Sequence, residues 1–455
     1  MNLNNPKTMK MVFIVGGGIL VLLLVVLVVI LLGRGEDGQP TRGNGSPFPP
    51  SDSSDTSTPP SSGNVELTYW GLWELESVMS PIIQKYESQN SHVKINYTQR
   101  PFTADDYEAT LHTRLEQGKA GESPAADIVK INNSWLPRFE HLLAPMPETI
   151  MSRGEYSQIF YPTCIDDFTG SDGQIYAMPI GIDGLALFYN KELLSQEGVS
   201  QPPSDWDGVV ELAKRLTKRD SAGRITQAGL AVGTENNIYH SADILSFLLL
   251  QNNINVITEQ NGNLMVDLSS PQAKSALTFY KNFAQRHEVW SPNLPLDLDM
   301  FFRGELAMFF APSWRVFDII QAAPHIEFDV VPPPRLEANE PVYYAMYWGE
   351  AVSISSPHQE EAWRFIKFLA EQETLQQLYA SSSSIRAFGQ PYPRVDLASE
   401  IQNSRYVGAI IEMAPDMKSW KMSQNPTVEE YMNLGIAENN LDLAEQRIND
   451  FLSNL

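Results

Sequence analysis

The chain has 455 residues, 43% of them hydrophobic, which is too long for one compact core and natural for two. Its formal net charge is −23 and its pI about 4.7, which argues against nucleic acid as a partner, because phosphate neutralisation needs a basic face. One cysteine, Cys164, excludes an intramolecular disulfide and a cysteine-based structural zinc site.

Met11 to Leu32 is an uninterrupted run of 22 apolar or glycine residues, preceded by Lys7 and Lys10. A bilayer core needs roughly 20 such residues, and the lysines favour a cytoplasmic N-terminus, residues 1–10, with the remainder exported. A cleaved signal peptide would have a shorter apolar core and a small-residue cleavage site; Gly33-Arg34-Gly35-Glu36-Asp37 offers none. The run therefore predicts a single-pass transmembrane anchor over residues 11–32 in the cell membrane, with the body on the extracytoplasmic face. Residues 33–64, rich in Pro, Ser, Gly and Thr, read as a disordered linker with a span of about 30 Å.

The body opens with a strand over Val65–Gly71, a helix over Val78–Gln89, a strand over Val93–Gln99 and a helix over Ala104–Gln117. Ala126–Asn132 is a third strand, ending in Asn132 and Asn133. Strands alternating with helices predict a parallel-rich α/β sheet, whose ligands collect at the carboxyl ends of strands. Ile175–Met178 reads as a strand stopped by Pro179, which lacks a backbone donor. Leu185–Tyr189 resumes as a strand, and Lys191–Gln196 as a helix stopped by Gly198. A strand that ends at an acid, Asp183, and then resumes is a way for a chain to cross between two lobes. A helix over Asp205–Thr217 with Ser204 as N-cap follows, then a strand over Gly229–Gly233 and a helix over Ala242–Gln251. Ser270-Pro271 opens a helix to about Arg286. Leu306–Trp314 is a strand entering a helix, and Phe328–Val331 another strand. Tyr344–Ser355 is a strand broken at Gly349-Glu350. Single helices are expected over Glu360–Tyr379 and Val428–Leu452.

No nucleophile elbow, zinc-protease motif, P-loop or dinucleotide fingerprint is present. The seven histidines show no ligand spacing, and no metal or cofactor is expected. Nine tryptophans are more informative, because several fall in loops after strands. Aromatic faces stack on sugar rings through the quadrupole that drives aromatic packing, and amides and carboxylates around them bond the hydroxyls. Ligand-binding candidates on this reasoning are Trp70, Trp73, Asn132, Asn133, Trp135, Asp183, Asn237, Tyr239, Trp314, Tyr347, Trp348, Glu350 and Trp420. Trp206 and Trp363 lie on amphipathic helices and read as core.

Three segments carry a family resemblance. GQIYAMPIGIDGLALFYNKELLSQEG with the following PPSDWDG, FFRGELAMFFAPSW, and YYAMYWGEAVSISSPHQEEAWRFIKFL resemble, in order, segments of the family 1 extracellular solute-binding proteins, the group of maltose-binding protein. The resemblance covers nearly all of Val65–Leu455. Ala311-Pro312-Ser313 departs from the family's glycine-serine-tryptophan pattern, and the usual lipid-anchored cysteine is absent. It implies a two-lobe periplasmic-binding-protein fold of type II, with discontinuous lobes, 65–180 with 350–380 and 181–349 with 381–455, and a hinge. Crossovers are expected near Gly181–Asp183, Trp348–Glu350 and Ser381–Ser384. It further implies a monomeric, non-catalytic receptor that captures a sugar or oligosaccharide and delivers it to the permease subunits of an ABC importer. The sequence leaves open an anchored enzyme acting on extracellular glycans, and a sensory or adhesive solute-binding module without transport.

Overall fold

The computed structural model describes residues 64–455, apart from 102–103, 123–125, 261–262 and 337–339. The expected anchor at residues 11–32 lies outside the described residues, as does the linker but for Asn64. Among the described residues no helix is long and apolar enough to cross a membrane.

Two sheets organise the body. The first has six strands, running Val93–Gln99, Val65–Gly71, Ile128–Asn132, Trp348–Ser353, Leu143–Ala144, with Met178–Pro179 also on Trp348–Ser353. Val65–Gly71 is parallel to Val93–Gln99 and to Ile128–Asn132, whereas Trp348–Ser353 is inserted antiparallel, with Trp348 opposite Asn132. All five residues of Ile128–Asn132 are buried, as a central strand covered on both faces requires. The second sheet has five strands, in the order Phe328–Val331, Ala186–Asn190, Leu306–Ala311, Ile225–Leu230, Lys218–Arg219. Its core packs Phe309 between Phe188 and Phe301, at ring separations of 5.1 and 4.7 Å. The α/β character expected from the alternation is present in both sheets, but the parallel-rich pairing is not: three pairings are parallel and six antiparallel, because inserted strands such as Trp348–Ser353 return from the other sheet.

The chain passes between the sheets twice in adjacent strands. From Met178–Pro179 it runs through Asp183 to Ala186, and from Tyr343–Tyr344 it runs back to Trp348. The two passages pair with each other at Gly184 and Ala345, and the Leu185 amide donates to the Tyr344 carbonyl at 2.9 Å. A Cβ on Gly184 would sit 2.6 Å from the Tyr344 oxygen, so the close approach requires glycine.

Several local expectations change. Of the Ile175–Met178 run only Met178 forms strand, and Pro179, expected to stop it, is the strand's second residue, opposite Gly349. The short strand expected at Gly229–Gly233 is Ile225–Leu230. Asp205, not Ser204, caps the next helix, its carboxylate accepting from the Gly208 amide at 2.7 Å. Tyr344–Ser355 is two strands with different partners, because its first part belongs to the passage and its second to the first sheet. Glu360–Tyr379 divides into Gln359–Leu369 and Gln372–Ser383 where Glu371 turns extended. Val428–Leu452 becomes Pro426–Ala437 and Leu441–Leu452, broken by Asn439 at a φ of 52° and capped by Asn440. Helical periodicity survives such breaks of two or three residues, which is why the pattern reads through them. Cys164 is buried, and burial pushes its thiol pKa well up, as an inert core residue requires.

Candidate functional site

A cleft of about 480 Å³ lies beside the two passages and draws its lining from both sheets. On the first-sheet side, Trp73 and Glu74 follow the end of Val65–Gly71, Lys130 and Asn132 come from Ile128–Asn132, and Trp348 opens the inserted strand. Trp348 meets Trp73 at 5.2 Å and Trp135 at 5.0 Å, both edge to face. Trp135 is 1% exposed and donates its Nε1 hydrogen to the Gln424 carbonyl at 2.9 Å. It therefore backs the wall, while the half-buried Trp73 and Trp348 present ring surface to the cleft.

The opposite wall belongs to the second sheet. Leu306–Ala311 ends into Ser313, Trp314 and Arg315, the last opening the helix Arg315–Ala322. Trp314 is 43% exposed and Tyr239 is 52% exposed. The Arg315 guanidinium lies 4.1 Å from the Trp314 ring and 4.9 Å from the Tyr239 ring, and is paired with Asp318 at 2.8 Å. A cation held on both faces stiffens this aromatic pair. The replacement of the family's glycine by Ala311-Pro312 leaves Ser313 in place: its amide and hydroxyl donate to Asp183 at 3.0 and 2.8 Å.

Asp183 thus clasps the Ser313 loop to the passage and also accepts from the Gly184 amide at 2.8 Å. Burial lifts its carboxyl pKa to about 6 in spite of these bonds. Lys130, 2% exposed, holds Glu350 at 2.5 Å and Glu74 at 3.7 Å. Burial works against the Lys130 ammonium, but the two carboxylates outweigh it and keep its pKa above the ordinary value. Burial raises Glu350 as well, partly opposed by Lys130.

Eight of the sequence candidates meet in this cleft: Trp73, Asn132, Trp135, Asp183, Tyr239, Trp314, Tyr347 and Trp348. Five lie off its lining. Trp70 carries the Arg100 guanidinium 4.5 Å above its ring. Asn133, the other half of an alternating pair, points inward, donating to Asp167 at 2.9 Å and accepting from the Tyr347 amide at 3.1 Å. Asn237 is consumed by the Ser291 and Leu294 carbonyls, each at 2.9 Å, and by Trp290 and Thr234. Glu350 is fully buried behind Lys130, and Trp420 is 4% exposed. Trp70 stays half-buried under the Arg100 cation, whereas the other four are buried and spend their side chains inside the fold, where strand alternation or loop packing decides the direction. Even within the lining, Asn132 is committed: it donates to Gln424 at 2.9 Å and accepts from Ser134.

His240 and Asp243 were not among the sequence candidates. They line the cleft and pair through Nδ1 and Oδ2 at 2.9 Å. The His240 Nε2 and the Asp243 Oδ1 are buried without a hydrogen-bond partner, which leaves them for a ligand. The signal was a His and an Asp three residues apart at a helix start, a spacing too common to single out. Arg315, Arg386 and Gln424 entered the lining with no sequence signal at all.

The profile of the bacterial extracellular solute-binding proteins matches residues 81–402, well over half of the chain. The chain belongs to this family. A maltotriose-binding protein of Pyrococcus abyssi is 23% identical over 308 residues, covering 66% of this chain and 61% of that protein. Among solved structures, a cyclo/maltodextrin-binding protein complexed with maltotetraose superposes with a TM-score of 0.67 at 20% identity, covering 85% of this chain and 94% of that one. The sugar-binding protein MalE of Xanthomonas citri gives 0.66 at 18% identity, covering 86% and 97%. These likenesses establish for the solute-binding chain the two-lobe fold of such proteins, and the relatives are substrate-binding proteins rather than enzymes.

Proposed function

We propose that the solute-binding chain captures a sugar or oligosaccharide in this cleft and passes it to the permease of an ABC importer, without catalysing a reaction. The observation that carries this reading is the pairing of ring surface across the cleft, with Trp73 and Trp348 on one wall and Trp314 and Tyr239 on the other. Rings on both sides suit a pyranose, whose faces are apolar and whose edge hydroxyls need polar partners such as the unpaired His240 and Asp243 atoms. The relatives named for maltotriose and maltodextrin support the ligand class. The paired passages at Gly184 and Ala345 serve as the hinge, and closure about them buries the ligand. Lobe 1 takes residues 65–180 and 350–380 and lobe 2 the rest of the body. The protein acts as a monomer, held to the membrane by residues 11–32 with its body outside.

Calorimetric titration of the chain with a panel of mono- and oligosaccharides tests the reading. At least one should bind stoichiometrically and be recovered chemically unchanged. Silence across the panel, or conversion of the sugar, refutes it.

A further inference from the structure

Behind the first-sheet wall, away from the cleft, the helix Ala104–Lys119 carries His112 and Glu116 one turn apart on one face. The short turn Glu140–Leu142 brings His141 against them. One ligand atom of each of the three residues lies within 4.8 Å of the others. His141 Nε2 and Glu116 Oε1 are 2.8 Å apart, and the two imidazole rings are 6.3 Å apart between centres. No described residue hydrogen-bonds the His112 ring.

We propose that His112, Glu116 and His141 form a binding site for a first-row transition dication, with zinc the best fit and water completing the coordination. Two imidazoles and one carboxylate are a zinc donor set, and tetrahedral coordination at about 2.0–2.1 Å places ligand atoms about 3.3 Å apart. The observed spread contracts to that by small rotations of side chains that are free to make them: His141 and Glu116 are each 45% exposed. Nitrogen donors also exclude calcium and magnesium, which take oxygen. Two cations face the site and moderate its affinity. Arg138 is neutralised by Glu108, and Lys119 is turned onto the His141 carbonyl at 3.1 Å.

The placement gives the ion something to fasten. The His112 ring meets Phe139 at 5.7 Å, Phe139 stacks on Trp135 at 5.9 Å, and Trp135 meets Trp348 at 5.0 Å. A bound ion pins the helix to the turn that directly follows Phe139, the last residue of the short helix Leu136–Phe139, and so braces the layer behind the aromatic wall. This site stands whatever the cleft binds.

The test is calorimetric titration of the chelator-treated full chain, in mild detergent, with zinc chloride, and with magnesium and calcium chloride for comparison. One zinc should bind per chain at this site, and neither of the others. His141→Ala and Glu116→Gln should each weaken zinc binding at least tenfold, and zinc should raise the melting temperature of the parent chain but not of His141→Ala. Glu116→Gln keeps the side chain's shape, so a folded variant is in hand even if His141→Ala is unstable. No zinc uptake, or uptake equal in parent and variants, overturns the proposal.

Discussion

Lys130→Met removes the cation that two buried carboxylates share. Glu350 is 0% exposed and Glu74 is 4% exposed, so neither has water to fall back on. At 2.5 and 3.7 Å, and an effective dielectric of about 20, the two attractions are worth about 7 and about 4 kcal/mol gross. Desolvation of three ions offsets most of that, but removing the cation leaves the desolvation of the acids in place, a loss of about 3–5 kcal/mol. Methionine keeps the volume, so no cavity adds to the effect. With an unfolding entropy of about 2.1 cal/mol/K per residue over about 390 residues, the melting temperature should fall by about 4–6 °C. The loss should also depend on pH. Burial already raises the Glu350 pKa, and without Lys130 it rises further. A carboxyl whose folded pKa exceeds its unfolded one destabilises above the folded value, and the cost fades as pH falls toward the unfolded value. Scanning calorimetry of parent and variant at pH 7.5 and pH 5 should therefore show the gap narrowing at pH 5. A gap below about 1 °C at pH 7.5, where the cost of the unpaired acids is fully expressed, or one of equal size at both pH values, would refute the reasoning.

Trp314→Ala should weaken sugar binding about 5- to 150-fold, the worth of a stacked ring at roughly 1–3 kcal/mol. At 43% exposure it should cost less stability than Trp135→Ala, whose ring is 1% exposed and whose loss should cost about 3–5 kcal/mol; equal melting losses would place Trp314 in the core instead. Burial raises Asp167 and Asp183 to about 6, so between about 4 and 6 the folded chain holds protons that the unfolded chain has lost, and their contribution to stability falls as pH rises through that window. Asp167→Asn should accordingly gain about 1 kcal/mol on the parent between pH 5 and pH 7 in denaturant titrations, and a relative loss over that range would contradict the sign. Mass spectrometry of the membrane fraction should find residues 11–32 intact, and a mature N-terminus between Gly33 and Asn64 would rule out the anchor. Small-angle scattering of the chain should show its radius of gyration falling when a saturating sugar is added, and an unchanged curve would count against hinge closure.

The elements and their order were legible because each depends on local chemistry. Alternation marks Val65–Gly71, Ser270-Pro271 marks a helix start, and Pro179 with Asp183 marks the place where the chain leaves one sheet for the other. Breaks governed by one or two residues were not legible, as at Glu371 and Asn439, since periodicity on either side continues through them. The ring-bearing loops at Trp73 and Trp314 were also foreseeable, because each follows a strand end, but that position alone does not decide exposure: Trp135 also follows a strand and is 1% exposed.

What the sequence determined, then, is the identity and order of the strands and helices and the chemical kind of the site, aromatic with polar partners, since both follow from residue type and spacing along the chain. Only the tertiary structure decided which candidates share a wall. Asn132 reaches the cleft and Asn133 turns to Asp167, a difference of one residue in a direction that strand pairing sets. It also brought Lys130 between Glu74 and Glu350, which is 220 residues away along the chain, and His141 against Glu116. Such contacts depend on which elements pack together, and side chains far apart in sequence carry no local mark of the partner they will meet.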